Sequence, residues 1–589
     1  MSPLEFAAWA AVVATALTLG LLLPFALHRL LLLRAARRAG VSAAGRPVAR
    51  PGTGAAEAGL SPSPVGPDGP AESWPGELPA VTVQLPIYNE AGVVERLLDA
   101  VAALQYPAHR LDVQVLDDST DETSQRVARK IEMLQARGLR IEHLRRDSRE
   151  GFKAGALEAG RRAAEGQFLL ILDADFVPQP ELILGLLSPF ADPEVGMVQA
   201  RWDHLNEDES LLTRAQAVLL DGHFFFEQGG RHAAGRFMSF NGTAGMWRAE
   251  ALDDAGGWSS ATLTEDLDVS YRAQMAGWRF VFLAGLGVPA ELPSSVPALE
   301  LQQQRWAQGG IQTARRLLGR LWRRGSWSFG VRVEGTIHLL GHLAHPLTVM
   351  LGVLLLPSAL GRRYLGLDHL LVLDLVIFTM ATVSFLLFYA SAGRCRGRPW
   401  RRVVPSALLT LSLGIGLTAP VSRSVLRGLR GSARDPFRRT PKTGRVTEAG
   451  ASAMHPGTRQ PESRQSESRQ LESLHSEAWH HAERDRSPRD HRRSAHQATA
   501  PSGGGSSPPA RGIRSGVLEQ RLKLGLTLWM ALCVVVALAS GLYGTVPLLL
   551  LFGSGWGWLA WGGRAMPDPP ARRASTPTQA QLADPIGSR

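Results

Sequence analysis

Long apolar runs at both ends of the chain enclose a central region of mixed character. Residues 4–33 form an apolar run of about 20 to 30 residues, which is long enough to cross a bilayer. Basic side chains follow this run directly, and that bias places the N-terminus outside the membrane. Further apolar runs, each predicting a membrane helix, lie at about residues 336–360, 367–391, 403–422, 521–543 and 545–562.

A different pattern occupies the region between the first two apolar runs. Short apolar stretches at residues 81–86, 113–116 and 168–172 alternate with helical patterns at residues 90–104 and 123–137. This alternation predicts an α/β fold with a mainly parallel sheet and helices on both faces. In such sheets ligands bind beyond the carboxyl ends of the strands.

Composition adds two polar stretches to this picture. Residues 40–79 are rich in Gly, Ala, Pro and Ser and predict a flexible linker, whereas residues 431–515 are polar and low in complexity and predict a mostly disordered insertion. A basic stretch with Trp and Leu at residues 315–327 predicts a helix in the membrane interface. The predicted segments are an N-terminal anchor (1–39), the linker (40–79), the α/β domain (80–312), an interfacial helix with membrane helices (313–430), the insertion (431–515), C-terminal membrane helices (516–563) and a disordered tail (564–589).

The formal net charge of +11 narrows the possible partners. Basic residues cluster beside the apolar runs, at residues 28–38, 394–402 and 423–445, which favours contact with membrane lipids over nucleic acid. Cys395 and Cys533 are the chain's two cysteines, so neither a disulfide framework nor a zinc cluster is expected. Any metal must therefore be held by carboxylates.

Paired aspartates follow two of the predicted strands. Asp173 and Asp175 come after the apolar run at residues 168–172 and can together hold one Mg²⁺ or Mn²⁺, which would neutralise a diphosphate leaving group. Asp117 and Asp118 end an earlier strand, where a carboxylate can accept hydrogen bonds from a nucleoside. Strand-end aspartates are also common turn or cap residues, and this alternative stays open for both pairs.

Two further motifs combine groups suited to sugar transfer. Glu265 and Asp266 follow Thr264 at the start of a helical pattern, where they serve either as cap residues or, for Asp266, as the base that deprotonates an attacking hydroxyl. The stretch at residues 302–306 joins an amide, a guanidinium that can grip phosphate and an indole that can stack on a sugar face. Its alternative is an interfacial helix anchored by Trp and Arg.

In this order, the four motifs resemble the cellulose-synthase-like branch of family 2 glycosyltransferases, whose signatures are Asp-Asp, Asp-x-Asp, Thr-Glu-Asp and Gln-x-x-Arg-Trp. The likeness runs from about residue 81 to residue 309. Several stretches are similar to the plant subgroup that makes mannan, glucomannan or the glucan backbone of xyloglucan. These stretches are residues 85–90, 114–121, 153–157, 198–202 and 240–245.

This resemblance implies a GT-A fold, a divalent metal (Mg²⁺ or Mn²⁺) and inverting transfer from a nucleotide-sugar. It implies that the nucleotide-sugar is bound by Tyr88, Glu90, Asp117, Asp118, Lys153, Asp173, Gln302 and Arg305. It further implies metal binding by Asp173 and Asp175, catalysis by Asp266 with Asp118 and Asp117, and an acceptor site formed by Gly242, Thr243, Glu265 and Trp306.

The function that follows is a processive synthase that moves glucose or mannose from UDP-glucose or GDP-mannose to a growing β-linked polysaccharide. A first alternative transfers one or a few sugars to a membrane lipid. A second, of another class, is a non-catalytic membrane scaffold or transporter. The expected location is a bacterial inner membrane, spanned several times, with the catalytic domain in the cytoplasm.

Overall fold

The computed structural model describes residues 1–41, 74, 76–323, 325, 327–431, 439–442, 444 and 511–562. Most of the predicted linker and insertion, together with the predicted tail, lies outside the described residues. Of the insertion, residues 431, 439–442, 444 and 511–515 are described, and the last five begin a helix.

The central region folds around a seven-stranded sheet. Its neighbouring strands pair in the order β3-β2-β1-β4-β6-β5-β7. All pairs are parallel except the two that involve β6, so the predicted mainly parallel sheet is confirmed. The strands are β1 (Val81–Ile87), β2 (Leu111–Asp117), β3 (Ile141–Arg145), β4 (Phe168–Ile171), β5 (Val195–His204), β6 (Gly245–Arg248) and β7 (Arg279–Ala290).

Helices cover both faces of the sheet, because alternate strand residues point to opposite sides. In β4, Phe168 and Leu170 pack in one core with residues of α2, α3 and α5, whereas Leu169 and Ile171 pack in a second core with residues of α4, α8 and α9. The helices of this domain, after the N-terminal helix α1 (Pro3–Arg38), are α2 (Val94–Ala102), α3 (Thr123–Gln135), α4 (Phe152–Ala163), α5 (Leu182–Leu187), α6 (Leu211–Gly222), α7 (Gly229–Ala233), α8 (Ala249–Asp254) and α9 (Glu265–Met275).

Helix α10 (Val296–Arg323) joins this domain to the membrane helices. It is continuous across residue 312, where the sequence pattern predicted a domain boundary, so the stretch at residues 302–306 and the basic stretch as far as Arg323 belong to one helix. Leu299, Ala307 and Ile311 on α10 pack with apolar side chains of the membrane helices. The helix is therefore held between the sheet domain and the membrane region.

The described residues contain five helical segments long and apolar enough to cross a membrane: Pro3–Arg38, Phe329–Tyr364, Val376–Cys395, Trp400–Arg430 and Leu518–Ala539. The last apolar helix has 17 residues and is shorter than these. The helices after α10 are α11 (Phe329–Leu340), α12 (Ala344–Tyr364), α13 (His369–Cys395), α14 (Trp400–Arg430), α15 (Arg511–Ala539) and α16 (Val546–Gly562).

Candidate active site

A cavity of about 170 Å³ opens at the carboxyl edge of the sheet. Strands β1, β2 and β4 run parallel, so the residues that follow them meet at this edge. Strand β6 runs antiparallel to β4, and the residues before β6 therefore reach the same edge. The start of α9 and the middle of α10 close the cavity. The predicted site residues that line it are Tyr88, Glu90, Asp118, Lys153, Asp173, Asp175, Gly242, Glu265, Asp266, Gln302, Arg305 and Trp306.

Two predicted site residues lie behind the cavity wall. The carboxylate of Asp117 is fully buried and accepts hydrogen bonds from the backbone N–H of Ser119 and from His143, at 2.8 and 2.9 Å. Burial opposes ionisation, but these hydrogen bonds lower the pKa of Asp117 to about 2. Thr243 is also buried, and its hydroxyl accepts from the backbone N–H of Asp173 at 2.8 Å. Both residues support the cavity wall from behind.

Lys153, in the first turn of α4, connects three sides of the cavity. Its ammonium donates to Asp173 Oδ1 at 2.5 Å and to the carbonyl oxygen of Gly242 at 2.9 Å. Burial alone would lower the pKa of this amine, but the carboxylates of Asp173 and Glu265 raise it. Lys153 therefore carries a fixed positive charge beside the first aspartate of the Asp-x-Asp pair.

Asp266 lies in the first turn of α9 and faces the cavity. Burial, and next the like charge of Glu265, raise the pKa of Asp266 to about 7. A carboxylate with a pKa near neutrality is an effective general base, because it is ionised when needed and still attracts a proton. The backbone N–H of Leu267 donates to Asp266 Oδ1 at 2.8 Å and leaves Oδ2 for other contacts.

Gly242 places the backbone close to Asp266. Its φ of +82° lies in the left-handed region, and a Cβ at this position would stand 3.0 Å from Asp266 Oδ2. The neighbouring Asn241 is held by a π-helical turn, His223–Gln228, because its side-chain amide bonds to His223 Nε2 and Gln228 Nε2 at 2.8 and 2.6 Å. The stretch before β6 is thus fixed against the carboxylate of Asp266.

The oxygen ligands expected for a metal face the cavity from Asp173 and Asp175. Within the part of the chain that is described, no group of three or more His, Cys, Asp or Glu side chains could hold a metal ion. Two carboxylates nevertheless fit Mg²⁺ or Mn²⁺, since such ions take one or two carboxylates and complete their shell with phosphate oxygens and water. The Asp-x-Asp pair therefore suits a metal that arrives with a diphosphate.

Asp175 is engaged by a residue that the sequence analysis left without a role. Lys442 donates to Asp175 Oδ2 and to the carbonyl oxygen of Glu291, both at 2.6 Å. Arg439 lies 3.5 Å from Glu90, and both basic residues line the cavity. Burial, and next the charge of Asp175, raise the pKa of Glu90 to about 7. The closest sequence signal was the basic cluster at residues 423–445.

The opposite part of the cavity carries an aromatic and cationic pair. The guanidinium of Arg149 lies 3.3 Å from the centroid of the Tyr88 ring. Asp118 beside it forms a two-point ion pair with Arg146, with N–O distances of 3.0 and 2.5 Å. A flat ring, a stacked cation and a carboxylate are groups that can contact a planar base. Sequence reasoning missed Arg149, because a lone arginine in a loop carries no motif.

Helix α10 presents one face of its motif to the cavity. Gln302, Arg305 and Trp306 are spaced at i, i+3 and i+4, which puts them on one side of a helix. Burial lowers the pKa of Arg305, while Glu265 and Asp173 oppose that shift. Trp202 and His204 of β5 also line the cavity, and sequence reasoning assigned neither of them to the site. This arrangement provides an amide, a guanidinium and aromatic surfaces around the two acidic motifs.

Comparison with known proteins gives consistent matches over the sheet domain. Residues 79–309 match the family model described as "Glycosyltransferase like family 2". Probable glucomannan 4-beta-mannosyltransferase 7 of Oryza sativa subsp. japonica is 42% identical over 252 residues, which cover 42% of this chain and 43% of that protein. Glucomannan 4-beta-mannosyltransferase 2 of Arabidopsis thaliana is 41% identical over 246 residues, which cover 41% of this chain and 46% of that protein.

The chain spans about half the length of the curated relatives it matches. Among solved structures, the mannosyltransferase PcManGT from Pyrobaculum calidifontis in complex with GDP-Man and Mn²⁺ is similar, with 22% identity and a TM-score of 0.44. That similarity covers 66% of this chain and 98% of that structure. The family match and the mainly parallel sheet together confirm the expected fold class and the resemblance.

Proposed function

Because residues 79–309 match the family model described as "Glycosyltransferase like family 2", we propose that this chain is a membrane-embedded synthase that transfers mannose or glucose from a nucleotide-sugar to a β-linked glycan. One observation carries the proposal most directly. A single cavity brings together a base with a pKa near 7, an Asp-x-Asp pair, a lysine and the Gln-x-x-Arg-Trp face of α10. Each of these groups has a role in inverting sugar transfer.

The donor binds at the Asp-x-Asp end of the cavity. Tyr88, Arg149 and Asp118 contact the base and ribose, and Lys153 stabilises the adjoining phosphate charge. Asp173 and Asp175 would hold Mg²⁺ or Mn²⁺, which when bound neutralises charge that develops on the leaving diphosphate. Lys442 competes with a metal for Asp175, because its ammonium donates to Oδ2 of that carboxylate.

Asp266 carries out the proton transfer. Above about pH 7 its side chain is ionised, and its carboxylate removes the proton of the acceptor hydroxyl as the oxygen attacks the anomeric carbon. The bond from that carbon to the diphosphate breaks on the opposite face, which inverts the configuration. Arg305 and Gln302 hold the departing diphosphate, and Arg305 balances its charge.

The acceptor lies between Trp306 and the stretch before β6. Indole faces stack on the C–H faces of sugars, and Trp306 and Trp202 both line the cavity. Two aromatic platforms favour a glycan acceptor over a lipid phosphate. The similar plant proteins are named glucomannan 4-beta-mannosyltransferases, which supports synthesis of a mannan-type glycan. We propose that the chain is elongated processively.

Charge on the helices indicates the side of the membrane. The last turn of α14 carries Arg427 and Arg430, and its Gly428 lies against the backbone of Gln308 on α10. A basic flank on the catalytic side is typical of a cytoplasmic face, so we place the cavity in the cytoplasm. The bacterial inner membrane stays a prediction, since the relatives reported above are plant proteins.

A donor screen tests this proposal. Membranes containing the full chain would be incubated with radiolabelled GDP-mannose or UDP-glucose and either Mg²⁺ or Mn²⁺. The expected product is a polymer that resists organic extraction and is cleaved by a β-mannanase or a β-glucanase. Label that partitions into organic solvent would support the lipid-acceptor alternative, and absence of transfer from both donors would contradict the proposal.

The Asp266→Asn variant tests the assignment of the base. It should abolish transfer while nucleotide binding remains, because the amide cannot accept the proton. Asp208→Asn is the matched control, because Asp208 is exposed, lies outside the cavity and undergoes the same chemical change. Turnover retained by Asp266→Asn would exclude Asp266 as the base.

A further inference from the structure

Lys523 is a buried charge on a largely apolar membrane helix, one turn after Glu519. It lies in α15, within the membrane-length segment Leu518–Ala539, and only 4% of its surface is exposed. Ionisable side chains inside membrane helices are energetically costly, and those that persist usually have a partner and a function. Lys523 is not part of the cavity described above.

The partner of Lys523 is Glu300 on α10. The ammonium nitrogen lies 2.7 Å from Glu300 Oε1, and both side chains are at most 10% exposed. Burial raises the pKa of Glu300, and the charge of Lys523 opposes this shift. The pair therefore joins a residue of the last membrane region to the helix that carries the Gln-x-x-Arg-Trp motif.

A second contact strengthens this connection one helical turn away. Gln304 Nε2 of α10 donates to Glu519 Oε2 of α15 at 3.3 Å. Arg423 of α14 lies 3.5 Å from the other oxygen of Glu519. Helix α10 is thus bonded to α15 at two successive turns, by Glu300 and by Gln304.

Glu300 and Gln304 lie on the side of α10 that is turned away from the cavity. Successive residues of an α-helix are rotated by about 100°, so Glu300 and Gln304 share one face. Gln302, between them, lies about 200° around the axis from each and points to the cavity with Arg305 and Trp306. A shift of α10 at the first face therefore moves the groups on the second.

We propose that the Lys523–Glu300 pair positions α10 so that Gln302 and Arg305 meet the diphosphate of the donor. This inference rests on the proposed function, because it assigns a diphosphate to that part of the cavity. Lys523 and Glu300 are positioning residues, since neither lines the cavity. The family match ends at residue 309, so α15 lies outside it.

Each member of the Lys523–Glu300 pair neutralises the buried charge of the other, which keeps α10 in place. Without Lys523, the carboxylate of Glu300 would be buried with no opposite charge beside it. Either Glu300 would then bind a proton, or α10 would move so that water could reach the carboxylate. Loss of an outer contact that orients metal ligands typically costs about 10- to 100-fold in affinity or activity, and we expect an effect at the low end of that range here. Loss of the Lys523–Glu300 ion pair should therefore lower the affinity for nucleoside diphosphate.

Calorimetric binding of UDP and GDP with Mn²⁺ to the full chain in detergent tests this inference, alongside transfer assays. Lys523→Met and Glu300→Gln should each raise the diphosphate Kd about tenfold. The double variant Lys523→Glu with Glu300→Lys restores an ion pair and should recover most of the affinity. Arg521→Met is the control, because it also replaces a cationic side chain by methionine, at an exposed position of the same helix.

The charge swap separates positioning from folding. Monodisperse single variants with an unchanged diphosphate Kd would overturn the inference, as would a monodisperse double variant that binds no better than the single ones. Single variants that aggregate while the double variant is monodisperse and binds normally would support it. Aggregation of all three variants would overturn it as well, since the swap should then have rescued the pair.

Failure of the proposed function has a different signature. A wild-type chain that binds diphosphate without transferring sugar would refute the proposed function, whereas the comparison of Kd values would still decide the role of the pair. A wild-type chain that binds no diphosphate would refute both.

Discussion

Substitution of Gly242 by alanine tests how closely the proposed base, Asp266, is confined. Gly242 has a φ of +82°, and its added methyl carbon would lie 3.0 Å from Asp266 Oδ2 and 3.6 Å from Lys153 Nζ. Real Cβ contacts rarely fall below 3.4 Å, so the carboxylate would have to move by a few tenths of an ångström. The variant therefore combines a backbone cost with a displacement of the base.

The two effects have different sizes and can be separated. The left-handed conformation costs a residue with a Cβ about 1–2 kcal/mol. A displaced catalytic group can lower the rate by up to about 100-fold. Gly138→Ala provides the control, because Gly138 has a φ of +88° and no atom within 4 Å of an added Cβ. It should show the backbone cost alone.

The assay compares both variants in detergent. Thermal inactivation should be accelerated to a similar degree in Gly242→Ala and Gly138→Ala, since they share the backbone strain. Only Gly242→Ala should lose transfer, through kcat more than through the KM for the donor, because the base acts on the acceptor. Equal activity of the two variants would refute the tight packing inferred around Asp266.

Three further predictions concern the same cavity. Transfer should increase with pH through about 7, because burial and the charge of Glu265 raise the pKa of Asp266 to about 7 and only its ionised form accepts a proton. Glu265→Gln should therefore move the midpoint of the kcat/KM profile to lower pH. An unchanged midpoint would contradict a contribution of Glu265 to the raised pKa. Lys442→Ala should lower the metal concentration needed for half-maximal transfer severalfold, because it frees Asp175. Lys442→Arg should leave that concentration unchanged. If Lys442→Ala also leaves it unchanged, Lys442 does not compete with the metal for Asp175. Chelation with EDTA should abolish transfer until Mg²⁺ or Mn²⁺ is added back, and activity that persists in EDTA would exclude a metal at Asp173 and Asp175.

Local sequence patterns determined much of the architecture. The alternation of short apolar runs with helical patterns predicted the mainly parallel sheet, because buried strands need apolar residues and parallel strands need connecting helices. The same rule placed Asp118, Asp173 and Asp175 at one edge, since parallel strands end together. The sequence also grouped Gln302, Arg305 and Trp306 into one motif, and helix α10 places the three side chains on one face.

The sequence pattern could not tell which of two adjacent residues at a strand end faces the cavity. Asp117 and Asp118 carry the same side chain, yet Asp117 is buried behind the wall and Asp118 lines the cavity. Successive residues at a strand end point to opposite sides, and the choice of side depends on how the strand packs against α3 and β3. Sequence alone had therefore assigned both to the nucleotide.

Contacts between distant parts of the chain were decided only by the tertiary structure. Lys442 reaches Asp175 across 267 residues, and Lys523 reaches Glu300 across 223. Amino-acid patterns report the environment of neighbouring residues, because periodicity reflects which face of one element is buried. They do not record which separate elements the membrane helices bring together. The sequence by itself thus determined the fold class and the acidic motifs, whereas packing of α10 and the return of the chain to Asp175 decided how those motifs are held.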